Sequence, residues 1–442
     1  MRDAGPARRP IDRSSEGEGA PRGLYHVVTL GCKLNRFDSS RVEGILRAAG
    51  YRATADVRRA DVIVLNTCTV TGRADAEGRK LARRLRRANP RARLIATGCY
   101  AERDPEALRR LGVLDEVVGL AERDRLPEAL FGEEACVTAS IDLFFADRAR
   151  AFLRIQEGCD LRCSYCVIPS VRGPSRSVPL QQVVDGVRRL ADAGVKEVGL
   201  TGINTGAWGR DLTPRRRLAE LLETLVNLDA GVRYRLNSLE PRCVAPEILD
   251  LMAARPDVLV PHLQVPLQSG SDRILALMSR NYRSADYRRV VESVAERVPD
   301  VCIGADVITG FPGETEEDFR RTLRLVESLP LAYLHVFSYS PRPGTRAASL
   351  PGQVDPARRR ARTARLRQAG TELARAFRSR MLGRTFEALA LEAVADDGAR
   401  RALTGNYIEV RVPGLPPGEL VPVRLTSLDP TSLEVRGERV AA

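Results

Sequence analysis

The run Cys159-Asp-Leu-Arg-Cys163-Ser-Tyr-Cys166 follows at once on the apolar stretch Ala151-Phe-Leu-Arg-Ile155, and that junction limits the fold more than any other feature. A C-x3-C-x2-C loop presents three thiolates from one short segment. They can hold three corners of a [4Fe-4S] cluster and leave the fourth iron open, which makes a site for chemistry as well as for electron storage. Such a loop belongs where parallel strands deliver several loops to one rim.

The rest of the chain supplies that scaffold. With 442 residues it exceeds one ordinary domain. After a leader expected to be disordered over 1–21, residues 22–130 alternate apolar strands with helical stretches. The strands are Tyr25-His-Val-Val-Thr-Leu, Asp61-Val-Ile-Val-Leu-Asn, Ala92-Arg-Leu-Ile-Ala-Thr and Asp115-Glu-Val-Val, with helices near 38–49, 73–88 and 104–111. That cadence reads as a parallel α/β sheet. A loop-rich linker is expected over 131–148. Residues 149–381 repeat the pattern, with strands at Phe152–Gln156, Glu197–Leu200, Arg233–Asn237, Val260–Val265, Ile303–Ile308 and Leu334–Tyr339, as an open six-stranded α/β barrel ending in a basic helix. From 382 to 442 the helices disappear. Four short strands, Thr385–Val394, Tyr407–Val412, Leu420–Leu425 and Leu433–Val440, read as a small β-barrel, with Val412-Pro-Gly-Leu-Pro-Pro-Gly as turn chemistry.

The nine cysteines are odd in number and widely spread, which argues against a secreted disulfide scaffold. The first 21 residues lack the apolar core of a signal peptide, and no apolar run reaches membrane-spanning length, so a cytoplasmic protein without membrane contact is expected. Cys32, Cys68 and Cys99 each stand one to three residues beyond a strand, in Thr-Leu-Gly-Cys, Leu-Asn-Thr-Cys and Ala-Thr-Gly-Cys. Parallel strands bring their carboxyl ends to one edge, so these three can close a second three-cysteine site, with Gly31 and Gly98 allowing tight backbone geometry beside it. Buried unliganded thiols and a zinc site remain alternatives at this point. Cys136 and Cys243 are unassigned. Cys302, at a strand start, reads as a small buried hydrophobe.

The net charge is +13, and location matters more than the total. Arg79 to Arg93 holds eight basic side chains and no acidic one, and Arg358 to Arg380 holds nine arginines against Glu372. Each run is a candidate RNA contact, with a solvated helix face as the competitor. The terminal segment has seven arginines and nine acidic residues, so any grip on RNA there depends on local clustering or on the helix before it.

Together these residues resemble a family. C-x3-C-x2-C with Tyr165 before the last cysteine is similar to the radical S-adenosylmethionine (SAM) superfamily, and the whole constellation resembles its methylthiotransferase branch. Gly158-Cys, Ile168-Pro, Arg172-Gly, Leu267-Gln-Ser-Gly-Ser and Gly304-Ala-Asp-Val-Ile-Thr-Gly-Phe-Pro-Gly-Glu fit the branch, over roughly 24 to 442. The terminal barrel then corresponds to a TRAM domain. Members modify adenosine 37 of tRNA or an aspartate of a ribosomal protein. Gly31-Cys-Lys-Leu-Asn35, Asn66-Thr-Cys-Thr-Val-Thr71, Gly98-Cys-Tyr-Ala and Phe337-Ser-Tyr-Ser-Pro-Arg-Pro-Gly-Thr345 look most like the MtaB-like group, which acts on N6-threonylcarbamoyladenosine 37. Asn237 departs from the serine expected in Arg-x-Ser-Ser-x-Glu-Pro, and the slightly acidic terminal segment leaves the ribosomal-protein alternative open.

The resemblance implies two [4Fe-4S] clusters and SAM as cofactors. Cys159, Cys163 and Cys166 would be catalytic, holding the cluster that cleaves SAM to a 5'-deoxyadenosyl radical. Adenine C2–H is not appreciably acidic, so a radical rather than a protein base must remove its hydrogen. Cys32, Cys68 and Cys99 would hold the cluster that presents sulfur. Asn204 and Glu240, after the second and third barrel strands, are candidates for the methionine moiety and ribose, and Gly310 and Gly313 for close approach to adenine. Implied partners are tRNA and a low-potential electron donor such as a flavodoxin or ferredoxin, with the protein a monomer. A nonenzymatic iron-sulfur or zinc RNA-binding protein is the alternative of a different class.

Overall fold

The computed structural model describes residues 22–131, 143–147, 149–395 and 397–440, so the leader and Cys136 lie outside the described residues. The chain divides into two compact units, Met1–Thr69 with Arg73–Ile141 and Val70–Gly72 with Asp142–Ala442.

In the first unit β1 (Gly23–Thr29), β2 (Tyr51–Ala53), β3 (Val62–Thr67), β4 (Arg93–Gly98) and β5 (Glu116–Val117) make a wholly parallel sheet, ordered β2-β1-β3-β4-β5. β3 is central and buried at all six positions, as the unbroken run Val-Ile-Val-Leu-Asn-Thr requires of a strand covered on both faces. The helices are α1 (Lys33–Ala48), α2 (Gly72–Ala88), α3 (Cys99–Arg103), α4 (Pro105–Arg109) and α5 (Leu126–Phe131). α1 starts earlier than the sequence pattern indicates because extended Cys32 is its N-cap. The helix expected over 104–111 is α4, with Asp104 as its N-cap, whose carboxylate accepts from Ala107 N at 3.0 Å, and with Pro105 opening it; the short α3 just before it was not expected.

The second unit opens with β6 (Leu143–Asp147), an antiparallel edge strand where a loop-rich linker was expected, paired with β7 (Arg150–Arg154). A two-residue ladder of β8 (Gln156–Glu157) with β9 (Arg176–Ser177) closes the base of the cysteine loop. Parallel strands β7, β10 (Glu197–Thr201) and β11 (Arg233–Leu236) continue through the single bridges Tyr234–Leu259 and Ser238–Gln264 to β12 (His262–Gln264), β13 (Cys302–Thr309) and β14 (Tyr333–Ser338). These six strands form an open α/β barrel. The helices between and after them are α6 (Ile168–Arg172), α7 (Leu180–Asp192), α8 (Leu218–Val226), α9 (Pro246–Ala254), α10 (Asp272–Leu277), α11 (Ser284–Arg297), α12 (Glu316–Glu327) and α13 (Pro356–Met381). One apolar core runs between strands and helices, from Leu153 and Val198 to Val307 and Val336.

Strand alternation turns the opposite side chains to the lumen. Leu334 packs toward Gly370 of α13, so Tyr333, His335 and Phe337 face inward, as do Gln264 and Asp306, which bond to that row. The barrel interior is therefore polar.

A closed barrel ends the chain, ordered β15 (Thr385–Val394), β16 (Arg400–Thr404), β17 (Glu409–Val412), β19 (Val435–Arg439) and β18 (Leu420–Leu428). It has five strands where four were expected. β16 was hidden by its opening Arg400-Arg401, yet Ala402, Leu403 and Thr404 are buried, and Arg400 donates to Leu391 O and Leu415 O. This barrel docks at the starts of the larger barrel's strands. There buried Glu197 accepts from Arg150, Arg233 and Arg235 at 2.8–2.9 Å. Arg233 also donates to Leu403 O, and Arg235 to Thr404 O and Gly405 O. Burial alone raises the Glu197 pKa, but the charges of Arg235 and Arg233 together overcome it and hold the carboxyl well below its usual range.

Candidate functional site

In the first unit the three strand-end cysteines share one sheet edge. Cys32 follows β1, Cys68 follows β3 and Cys99 opens α3 directly after β4, and these are neighbouring strands. Cys68 and Cys99 are buried, while Cys32 is exposed. A Cβ on Gly31, at φ +101°, would lie 2.7 Å from Cys68 Sγ, so the bare backbone before Cys32 is what lets the two segments meet. Asn35 holds the edge together: its amide donates to Leu30 O at 2.7 Å and Thr67 O at 2.8 Å, and its Oδ1 accepts from Cys99 Sγ at 3.5 Å. Among the described residues no three His, Cys, Asp or Glu side chains are grouped as ligands of one metal ion. A cubane makes a different demand, since each thiolate binds its own iron corner. Three cysteines on one edge match that donor set.

The C-x3-C-x2-C loop leaves the barrel between β8 and β9. Gly158 stands at φ +70°, where a Cβ would come within 1.9 Å of Pro174 O, so the chain entering the loop presses on the chain leaving it. Cys159 N donates to Gly173 O at 3.1 Å, and Cys166 N to Cys163 O at 3.1 Å. Ser164 fixes the loop to the end of α10, its N donating to Met278 O and its Oγ to Leu277 O. Burial pushes the Cys166 thiol up to about 12, with Cys163 and Cys159 adding to it and the Ile168 N–H opposing it. Burial that disfavours the Cys166 thiolate fits a site completed by iron, whose charge would support thiolate ligands.

Arg280 reaches this loop from beyond α10, donating to Cys163 Sγ at 3.2 Å and pairing with Glu240. Burial raises the Glu240 pKa, Arg280 opposes the rise, and nearby Asp306 adds to it. No local pattern marks Arg280, because only the fold brings residue 280 to residue 163. The same holds for the wall of Gln264, Asp306 and His335: Gln264 Nε2 donates to Asp306 Oδ1 at 2.7 Å, and His335 Nδ1 lies 3.1 Å from that oxygen. His335 and Phe337 are about half exposed on the lumen face.

The candidates for the cofactor side behave differently from one another. Asn204 is buried, its N donates to Gln156 Oε1, and its Oδ1 has no hydrogen-bond partner among the described residues. Gly310, at φ +70°, donates to Glu314 Oε2, and a Cβ there would meet the Arg359 stem at 2.0 Å. Gly313, at φ +80°, donates to Gly352 O. The need for glycine at 310 thus comes from α13. Of the other cysteines, Cys302 is buried, with its thiol pushed up to about 12 by burial, and Cys243 Sγ accepts from Arg210 at 3.4 Å.

Residues 153–326 match the model of the radical SAM superfamily, and 24–119 match the uncharacterized protein family UPF0004. The threonylcarbamoyladenosine tRNA methylthiotransferase MtaB of Aquifex aeolicus is 36% identical over 402 residues, covering 87% of this chain and 96% of the relative. The chain belongs to the radical SAM methylthiotransferases. A tRNA-2-methylthio-N(6)-dimethylallyladenosine synthase of Sphingopyxis alaskensis is also similar to this methylthiotransferase, at 37% identity over 92% of this chain and 96% of that one. Among solved structures, the radical SAM methyltransferase TsrM of Kitasatospora setae shares the fold, with a TM-score of 0.54 at 16% identity over 74% of this chain and 77% of that one. No helix among the described residues of the methylthiotransferase is long and apolar enough to cross a membrane.

Proposed function

We propose that the protein methylthiolates C2 of N6-threonylcarbamoyladenosine 37 in tRNA, giving the 2-methylthio derivative. The observation that carries this reading is the end-to-end match to the Aquifex aeolicus enzyme, which spans 96% of that relative. Cys159, Cys163 and Cys166 would hold one [4Fe-4S] cluster, and Cys32, Cys68 and Cys99 a second. When bound, the clusters and SAM supply the radical that removes the C2 hydrogen, together with the sulfur and methyl group that replace it. A flavodoxin or ferredoxin would supply the low-potential electron.

The chain's own residues position and protect. The β8–β9 ladder and the bonds from Ser164 fix the cysteine loop, so the reacting groups meet in one geometry. Arg280 donates to Cys163 Sγ and would orient it as a cluster ligand. Asn204, with its unpartnered oxygen, and Glu240 would receive the polar groups of SAM, and Gly310 and Gly313 would border its adenine.

Identity alone does not separate a threonylcarbamoyl from a dimethylallyl substrate, since relatives of both kinds match equally well. The lumen wall favours the first. A threonylcarbamoyl group carries a carboxylate and a hydroxyl, whereas dimethylallyl is wholly apolar. His335, steadied at Nδ1 by Asp306, offers its other nitrogen to such polar groups, and half-exposed Phe337 on the same face offers a stacking surface for adenine. Mass spectrometry of tRNA nucleosides from cells lacking the gene tests the assignment. Loss of the methylthio-threonylcarbamoyl nucleoside alone supports it. Loss of the methylthio-dimethylallyl nucleoside, or of a methylthio-aspartate in a ribosomal protein, would replace it.

A further inference from the structure

The two basic runs look alike in the sequence and differ in the folded chain. In α13, Arg359 donates to Tyr339 O, Arg362 to Glu314, Arg365 to Glu316 and Arg378 to Leu433 O, while Arg375 pairs with Glu372. With Arg375 also donating to Pro430 O, five of the nine arginines on that helix brace neighbouring parts of the same unit. The run on α2 is spent differently. Arg86 is tied to Asp115 and to three carbonyls, and Arg79 bonds to Tyr100 Oη. Lys80, Arg83, Arg84 and Arg87 are exposed at i, i+3, i+4 and i+7, the spacing of one helix face, and exposed Arg91 follows the helix.

Ordinary solvated faces of this protein are built otherwise. On α11, Arg288 pairs with Glu292 and Arg289 with Asp286. On α12, Arg320 pairs with Glu316, and Arg321 and Arg324 with Glu317. The α2 stripe has no interleaved acid: no Asp or Glu occurs between Glu77 and Glu102. Clustered charges of one sign cost self-repulsion that interleaved charges avoid. A polyanion removes that repulsion. The stripe is about 10 Å long at the helical rise, which matches roughly three phosphates of a stacked strand.

We infer that the Lys80/Arg83/Arg84/Arg87 face of α2, with Arg91, is an RNA backbone grip, and that the amino-terminal unit supplies a main electrostatic hold on the substrate. This inference rests on the reading of tRNA as substrate. Contacts to phosphate carry no sequence information, so the grip acts on affinity and leaves the choice of base to the barrel lumen.

The test is tRNA binding by the intact protein between low and physiological salt. The triple variant Lys80→Gln/Arg84→Gln/Arg87→Gln should flatten the slope of log affinity against log salt by about 2–3 and weaken binding roughly tenfold or more near 0.15 M salt. Uncoupled SAM cleavage should be retained, because the stripe lies outside the proposed cluster sites. A second variant, Arg83→Gln/Arg91→Gln, should lower the slope by about 1–2 and guards against a folding defect in the first. Wild-type protein that binds tRNA with the same salt slope as both folded variants would overturn the grip and leave the substrate intact. Wild-type protein that does not bind tRNA even at low salt would instead remove the substrate reading on which the grip rests.

Discussion

Glu197→Gln removes one buried carboxylate that three arginines share, and the consequence can be worked out from the geometry. Glu197 and Arg235 have no exposed side-chain surface and Arg233 has 2%, so neither guanidinium can turn to water when the anion is lost. Breaking a buried pair in this way costs about 3–5 kcal/mol. Arg233 and Arg235 keep their bonds to Leu403 O, Thr404 O and Gly405 O, which places the cost near the lower figure, about 3 kcal/mol. At about 2 °C per kcal/mol for a unit of this size, the apparent Tm of the second unit should fall by roughly 6 °C. Those three carbonyls belong to the terminal barrel, so limited proteolysis should release that barrel earlier in the variant. The pH dependence has a definite sign. The folded carboxyl titrates well below its usual value, so its contribution is complete above the ordinary carboxylate range and is lost as pH falls through the lower folded value. The wild-type advantage should therefore persist down to about pH 5 and narrow only in stronger acid. A variant that melts within about 1 °C of wild type at neutral pH, with unchanged proteolysis, would refute the claim that this carboxylate anchors the terminal barrel.

The remaining predictions concern the candidate site. Cys163→Ala should abolish deoxyadenosine formation, whereas Cys68→Ala should leave some uncoupled SAM cleavage and no thiolated product; equal loss of both activities in both folded variants counts against two separate roles. Gly98→Ala should cut iron after anaerobic reconstitution from about eight to about four per chain. Gly98 sits at φ +95° and ψ −169°, a region essentially reserved for glycine, and a Cβ would come within 2.2 Å of Asn66 Oδ1. Unchanged iron content would show that the edge can relax. His335→Phe should lower kcat/KM for threonylcarbamoyl tRNA by roughly ten- to a hundredfold, the cost of a hydrogen bond to a charged group. A substrate lacking the threonylcarbamoyl group should lose little, and equal loss on both substrates would remove His335 from recognition.

Much of this architecture was legible because it is written locally. Period-two and period-3.6 patterns mark the strands and helices, and once the strands are known to be parallel, Cys32, Cys68 and Cys99 must fall on one edge. The short C-x3-C-x2-C spacing likewise needs no tertiary information to bring three thiols together. Misreadings arose where a local pattern was masked. Arg400-Arg401 disguised β16 because these arginines begin a strand whose buried half comes after them. The helix α3 was missed because its five residues, Cys99–Arg103, are too few to show a helical period before Asp104 ends it.

Sequence by itself determined the parallel scaffold, the placement of three cysteines on one sheet edge and three on one loop, and the family, since each depends on neighbours in the chain or on strand ends that share one edge. Only the tertiary structure decided which charges are free and which are spent. Arg280 meets Cys163 and Glu240, His335 meets Asp306, and α13 uses its arginines as braces while α2 leaves a stripe exposed. The physical reason is that a side chain's charge has no fixed role until folding sets its distance from other charges and from water.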